Sequence, residues 1–222
     1  MNPVGPDFLQ IEALLTEKEI MFRNRVRRFV DESCMPVVVR HFDEGTFPLH
    51  LVDQMASLGL FGVHIEGYGC HRISATAYGL GCQELGRCDS GLRAMFSVQN
   101  SLVMYPIYAF GSEQQRRTWL PKLQSGKAIG CFALSEPDFG SNPGGLSTRA
   151  ALYGDRYRLN GIKMWITNGS IAQVAIIWAK TSDGIRGSLW RPPHRDSGPP
   201  RFATSSLIAL RRLRLSNSRT AR

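Results

Sequence analysis

The residues best equipped for chemistry lie in two short stretches. The first is Gly130-Cys131-Phe132-Ala133-Leu134-Ser135-Glu136-Pro137-Asp138-Phe139-Gly140-Ser141-Asn142-Pro143, an apolar run that ends in a hydroxyl, a carboxylate and a proline, then breaks into Gly-Ser-Asn-Pro. The second, Lys163-Met164-Trp165-Ile166-Thr167-Asn168-Gly169, follows about one hairpin later. Together they look like a cofactor cradle: two strand ends that present backbone and hydroxyl donors beside one indole. In such a cradle the cofactor performs the reaction while the protein supplies orientation and fixed donors. The same residues also describe a capped strand end with ordinary turn chemistry and a core tryptophan.

Other reactive residue types carry less. The five cysteines, Cys34, Cys70, Cys82, Cys88 and Cys131, form no C-x-x-C pair, and no Cys/His set has zinc spacing. They read as free thiols, mostly small buried hydrophobes. His41, His50, His64 and His71 show neither metal spacing nor a triad partner and read as structural.

Two kinds of element must position the cradle. Residues 1–15 read as an extended lead. Thr16-x-x-Glu19 is a capping box before an apolar-periodic run through Ile20, Phe22, Val26, Phe29 and Val30. That helix is expected to reach Met35 and stop at Pro36. A polar connection (41–48) leads to a second helix over 49–60, with Leu51, Val52, Met55 and Leu58 on one face. Gly67-Tyr68-Gly69-Cys70 is a turn. A helix over 74–87 contains small residues that permit close approach. Asp89-Ser90 caps the next helix, through Met95, Val98, Leu102, Val103 and Tyr108, and Ser112-x-x-Gln115 opens one ending near Leu123 and Gly126. Pro121 falls near the end of that helix, where it costs less. Residues 16–126 thus predict an antiparallel helical bundle.

The period changes after Lys127. Strands are expected over 128–134, 147–152, 156–159, 162–167 and 173–180, with Asn160-Gly161 as a hairpin signal and Val174, Ile176 and Trp178 on one face. From Arg186 the pattern stops, apart from a possible short helix over 205–215. Arg/Pro/Ser-rich composition without acid is typical of irregular chain. The expected fold class is α+β: an N-terminal α-helical domain (1–126), an incomplete antiparallel β domain (127–187) and an irregular tail (188–222).

The bulk composition excludes several classes. With 222 residues, 43% of them hydrophobic, the chain can bury a real core. No stretch reaches the roughly 18 apolar residues of a membrane span. Met1 to Glu19 holds four acidic residues and one lysine, unlike a secretory signal or a transit peptide, so a cytoplasmic enzyme is expected. The net charge of +9 belongs to the end of the chain. Residues 1–185 carry 18 Lys+Arg against 17 Asp+Glu, whereas 186–222 carry nine Arg and only Asp196. That basic end lacks the interleaved aromatics of a nucleic-acid binder, so no nucleic-acid partner is expected.

The two stretches are specific enough to place. Ser135-Glu136-Pro137-Asp138-Phe139-Gly140-Ser141 with Trp165-Ile166-Thr167-Asn168, after a helical bundle, resembles the acyl-CoA dehydrogenase family of flavoenzymes. The glutaryl-CoA branch of that family is the nearest in pattern. Supporting stretches are Gly67-Tyr68-Gly69-Cys70, Asp89-Ser90-Gly91-Leu92-Arg93, Ser97-Val98-Gln99-Asn100-Ser101-Leu102-Val103-Met104 and Phe110-Gly111-Ser112-Glu113-Gln114-Gln115-Arg116. The resemblance covers about residues 8–187.

The resemblance implies an N-terminal α domain, a middle β domain and a C-terminal α bundle, with FAD between the last two. It implies removal of an acyl-CoA α-proton by a glutamate, transfer of a β-hydride to flavin N5 and, for glutaryl-CoA, decarboxylation to crotonyl-CoA in lysine and tryptophan degradation. The cofactor-binding residues it implies are Phe132, Leu134, Ser135, Gly140, Ser141, Trp165, Ile166 and Thr167. Ser135 stands where the family usually has Thr and keeps the hydroxyl. The implied substrate-binding residues are Arg93, Ala94 and Ser141. A guanidinium fork suits the distal carboxylate of a glutaryl group, and Ala94 replaces a frequent Ser donor. An electron-transfer flavoprotein is the implied partner.

The family's catalytic glutamate has no counterpart: the last glutamate of the sequence is Glu136, inside the flavin motif. The resemblance ends near Gly187. On this reading the chain is a truncated form with no catalytic residue, impaired or inactive and unlikely to form the family's homotetramer. A non-catalytic acyl-CoA- or anion-binding protein with a basic tail is the alternative.

Overall fold

A computed structural model describes residues 10–153 and 156–190, with the side chain of Arg156 left undescribed. The expectations for residues 191–222, the short helix over 205–215 among them, lie outside the described residues.

The helical half begins with a 3-10 turn, Ile11–Leu14, where an extended lead was expected. The capping box at Thr16 then opens α1 (Glu17–Phe29), with the Thr16 side chain accepting from Glu19 N and the Glu19 carboxylate accepting from Thr16 N. The chain does not stop at Pro36. A π turn, Val30–Cys34, widens the helix, and Met35 N reaches back to Val30 O. α2 (Met35–Asp43) follows with Pro36 in its first turn, where the missing N–H costs least. The same device recurs later. α5 (Ser90–Ser97) runs into a π segment, Val98–Met104, in which Tyr105 N reaches Asn100 O, and α6 (Tyr105–Phe110) carries Pro106 in its first turn.

Between them lie α3 (His50–Ser57) and α4 (Ala75–Cys88), the latter capped by the Ser74 hydroxyl on Ala77 N. α7 (Glu113–Gln124) starts from a second capping box, Ser112 with Gln115, and holds Pro121 inside its last turns. The Gly67–Cys70 turn forms as expected, closed by a bridge between those residues. α1 packs on α4, and α4 on α5, around Phe22, Val26, Leu85 and Phe96. Gly81 permits the approach: a Cβ there would stand 3.1 Å from the Phe22 ring.

The sheet comprises β1 (Gly130–Ala133), β2 (Arg149–Tyr153), β3 (Arg156–Asn160), β4 (Val174–Thr181) and β5 (Gly184–Trp190). It is mixed, not antiparallel throughout. β4 is the spine: β1 runs parallel to it (Gly130↔Val174 to Ala133↔Ile177), and β2 touches it in parallel at Arg149↔Lys180. β2 with β3 and β4 with β5 are antiparallel. Two further expectations are corrected. Residues 162–167 form no strand, and Asn160-Gly161 makes no hairpin, because the chain leaves β3 to pass behind Thr148. A Cβ at Gly161 would lie 2.6 Å from Thr148 Cα. The regular pattern also continues past Arg186, through β5.

β4 alternates between two cores. Val174 and Ile176, with the Trp178 ring beside them, join the core that fills the helical half, while Ala175, Ile177 and Ala179 join Cys131, Ala133, Ala150, Leu159 and Trp190. The two halves meet where β1 lies on the Val98–Met104 segment. Gly130 is required there, since a Cβ would meet Val103 Cγ1 at 2.3 Å.

Candidate functional site

The apolar run of β1 ends at Ala133, and the chain turns at Glu136–Phe139, whose backbone groups bond reciprocally at 3.2 Å. The second stretch, 163–169, lies directly against this strand end. Met164 N donates to Ser135 O at 2.9 Å, Lys163 Nζ to Leu134 O at 2.9 Å, and Asn168 Nδ2 to Gly130 O at 3.0 Å. The two motif stretches, distant in sequence, are one site in space.

Each expected cofactor residue can be located. Phe132 is half-buried on the side facing the helical half, edge-on to Trp178 with ring centroids 6.0 Å apart. Leu134 and Ser135 are half-buried; Gly140 and Ser141 are exposed in the following loop. Ile166 packs on the second core. Trp165 is 85% exposed and sits at φ 60, a left-handed conformation that is a true outlier for a bulky residue. Thr167 is exposed, and Asn168 is also left-handed at φ 64. The hydroxyls of Ser135, Ser141 and Thr167 have no hydrogen-bond partner among the described residues. Strain of this kind gathers at ligand clamps. A displayed indole, with hydroxyls at the strand end and in the two loops that bond no described residue, suits a flat aromatic cofactor with polar edges.

The substrate expectations fall elsewhere. Arg93 lies on α5, whose N-terminus is held by the Asp89 carboxylate accepting from Leu92 N at 2.7 Å. Its guanidinium is exposed and makes no hydrogen bond or ion pair among the described residues. Burial raises the Tyr78 hydroxyl and the Cys82 thiol, and the Arg93 charge opposes that rise in both, so the guanidinium lies near these α4 side chains. Arg93 stands ten residues before Val103, about 15 Å along the helix that β1 packs against. Ala94 is half-buried. The structure therefore places Leu134 and Ser135 against the 163–168 stretch, with Gly140 and Ser141 in the loop that follows, and carries Arg93 on α5.

A buried ionic group under the cradle was not anticipated. Glu136 and Lys163 are 2.8 Å apart with side chains 1% and 4% exposed. The Glu136 carboxylate also accepts from Ser147 N, Ser147 Oγ at 2.6 Å and Thr148 N at 3.0 Å. Burial raises its pKa, but the hydrogen bonds from Lys163, Ser147 and Thr148 outweigh that and hold it at about 2. Burial depresses the Lys163 ammonium, against the pull of Glu136. In sequence each looks like an ordinary charged residue beside a turn; only a carboxylate at the end of an apolar run hinted at burial.

Of two further buried polar residues, Gln99 braces the start of β1 and Asn100 ties together the helical half alone. Gln99 accepts from Gly130 N at 2.9 Å and donates to Leu123 O and Ala128 O. Asn100 accepts from Gly62 N and Val63 N and donates to Leu60 O and Phe96 O. His64 is held at 3.2 Å by Ser101 Oγ, and burial lowers its pKa. Cys34 and Cys131 are pushed up to about 12 and Cys70 to about 11 by burial, which keeps these thiols protonated.

Comparison with known proteins agrees in both halves. The profile of the acyl-CoA dehydrogenase N-terminal domain matches residues 16–127, and that of the acyl-CoA dehydrogenase middle domain matches residues 131–192. The human mitochondrial short-chain specific acyl-CoA dehydrogenase is 36% identical over 173 residues, 78% of this chain and 42% of the relative. Among solved structures, glutaryl-CoA dehydrogenase from Mycobacterium smegmatis in complex with FADH2 superposes with a TM-score of 0.81 at 49% identity, over 83% of this chain and 48% of that one. A glutaryl-coenzyme A dehydrogenase in complex with glutaryl-CoA gives 0.77 at 32% identity, over 80% and 47%. The chain spans about half the length of the relatives it matches.

Proposed function

The chain belongs to the acyl-CoA dehydrogenase family, a family of oxidoreductases, and from that premise we propose that it carries the flavin-holding and acyl-recognising part of an FAD-dependent oxidation of glutaryl-CoA. The observation that carries this reading is the strained, exposed Trp165 on the stretch that Met164 N and Lys163 Nζ fasten to the Leu134–Ser135 strand end. FAD, when bound, supplies the hydride-accepting chemistry. Ser135 and the backbone at Leu134 would hold the polar edge of the ring, with Phe132 and Gly140 shaping the strand end. Trp165 and Ile166 would flank the ring, and Thr167 would donate to it. Ser141 touches both the cofactor and the CoA chain. Arg93, free of any intramolecular partner among the described residues, pairs with the distal carboxylate, and the short Ala94 beside it adds no donor.

The α-proton needs a carboxylate base. Glu136 cannot serve, being locked to Lys163, Ser147 and Thr148 with its pKa near 2. Asp138 and Asp183 are exposed in turns. The 222-residue chain on its own is therefore expected to bind more readily than it turns over. An electron-transferring flavoprotein is the proposed electron acceptor for the complete reaction. A second reading, a non-catalytic acyl-CoA- or anion-binding protein, is favoured only by the want of a suitably placed carboxylate beside the cradle among the described residues.

Reconstitution decides between them. The purified chain is incubated with FAD, desalted and scanned in the visible region, then mixed with glutaryl-CoA or butyryl-CoA. A retained flavin spectrum that glutaryl-CoA perturbs more strongly than butyryl-CoA is expected. Colourless protein after desalting, or salt-sensitive binding of polyanions in place of flavin, would overturn the proposal.

A further inference from the structure

Resting on the proposed flavin-binding role, we infer that Glu136 and Lys163 are positioning residues: a buried ionic latch that sets the two halves of the cradle against each other and so fixes where Ser135, Ser141 and Trp165 point. Four observations support it. The two charges come from the two separate motif stretches, and meet at 2.8 Å with almost no exposure. Lys163 Nζ also holds Leu134 O, while its neighbour Met164 N holds Ser135 O, so the carbonyls of both cradle residues are fastened inward. Glu136 reaches the far end of the loop, binding Ser147 and Thr148, and thereby closes 136–148 as one loop around the exposed Gly140 and Ser141. Finally, the backbone at Gly161 is pressed against Thr148, so the chain that enters the second stretch passes close to the residue that Glu136 holds by its N–H.

A salt bridge that served stability alone would be a weak choice here, because taking two charges out of water offsets much of their attraction. Fixing one arrangement is the alternative role for such a pair. The latch touches no substrate in this arrangement and acts through the residues it fastens.

The test uses the full chain with Glu136→Gln and Lys163→Met combined. Gln keeps an acceptor for one of Ser147 N and Thr148 N, which bond different carboxylate oxygens, and Met keeps the buried stem, so no buried charge is left unpaired; retained protection in α1 and α4 reports that the rest of the fold stands. Lys163→Arg, which keeps the charge, is the conservative control. Amide hydrogen exchange across 134–141 and 163–168 is read without any cofactor, and FAD affinity is read by fluorescence titration. The double variant is expected to lose protection in these two segments while keeping it in α1 and α4, and to weaken FAD binding at least tenfold; Lys163→Arg is expected to restore part of both. Wild-type protection in the double variant would overturn the latch. If the wild-type chain takes up no FAD, the functional reading fails, and the exchange comparison still decides the latch by itself.

Discussion

Trp165 occupies a conformation that costs of order 1 kcal/mol for a residue with a Cβ, and it exposes its ring rather than burying it. Neither property helps folding, and the proposed flavin contact would account for both. Trp165→Asn, whose short polar side chain tolerates φ 60, is expected to leave the thermal midpoint unchanged or slightly raised. It should lower FAD affinity by tenfold or more in a fluorescence titration, and a drop in stability with unchanged affinity would refute that assignment. Glu136 makes the opposite argument from burial. Its carboxyl falls from an ordinary 4.5 to about 2 on folding, so its contribution to stability is complete above pH 4.5 and drains away as the pH falls through that window. Glu136→Gln is expected to flatten the loss of stability between pH 4.5 and pH 2 in denaturant titrations; an unaltered acid profile would show that other carboxylates carry it. The motif residues were legible in sequence because their types and order are unusual. The partnership of Glu136 with Lys163 was not, since 26 residues separate them and pairing is decided by how the chain folds back.

The helices were legible wherever capping chemistry marks them. Thr16/Glu19, Ser74, Asp89 and Ser112/Gln115 each cap the helix that the sequence places after them. The stop at Pro36 misled because a proline is tolerated when a π turn precedes it, and nothing in Val30-Asp31-Glu32-Ser33-Cys34 signals that geometry. The strands fared differently. The alternation in β4 predicted its two faces, but the direction of pairing depends on the path of the long connections, which no local pattern records. β5 was missed because Arg186-Gly187-Ser188 looks polar, while Ser188 and Trp190 are buried against β4. One element-level contact gives a sharp test. Gly130 and Val103 interlock, so Gly130→Ala forces β1 off its helix and is expected to cost about 1–3 kcal/mol. Adding Val103→Ala makes room for the new methyl, and the double variant is expected to be more stable than the sum of the two single losses by chemical denaturation. Strict additivity would place the strain elsewhere.

At the scale of the molecule, the helical bundle and the sheet are not two independent cores. Ala128, Ile129, Val174 and Ile176 belong to the same apolar cluster as Phe22, Met55 and Leu85. The polar seam through that shared core is Gln99, which spends its amide on Gly130 N–H of the sheet and on the carbonyls of Leu123 and Ala128 of the connection. Asn100, one residue on, spends its amide on Leu60, Gly62, Val63 and Phe96, all within the helical half. This division makes cooperativity testable. In the wild-type chain, helical circular dichroism and hydrogen-exchange protection of β4 should be lost at the same denaturant concentration, since exposing one half exposes the other's core. Gln99→Leu removes the seam and leaves Gly130 N–H of the sheet and Ala128 O of the connection without their Gln99 partner, at about 1–3 kcal/mol for each, while Leu123 O still accepts from Gly126 N. The two probes should then separate, with β4 released first. Asn100→Leu leaves comparable groups unpaired but only on the helical side, so it should shift both probes together. If Gln99→Leu shifts them together as well, shared apolar contact alone couples the halves; if Asn100→Leu separates them, the seam lies elsewhere.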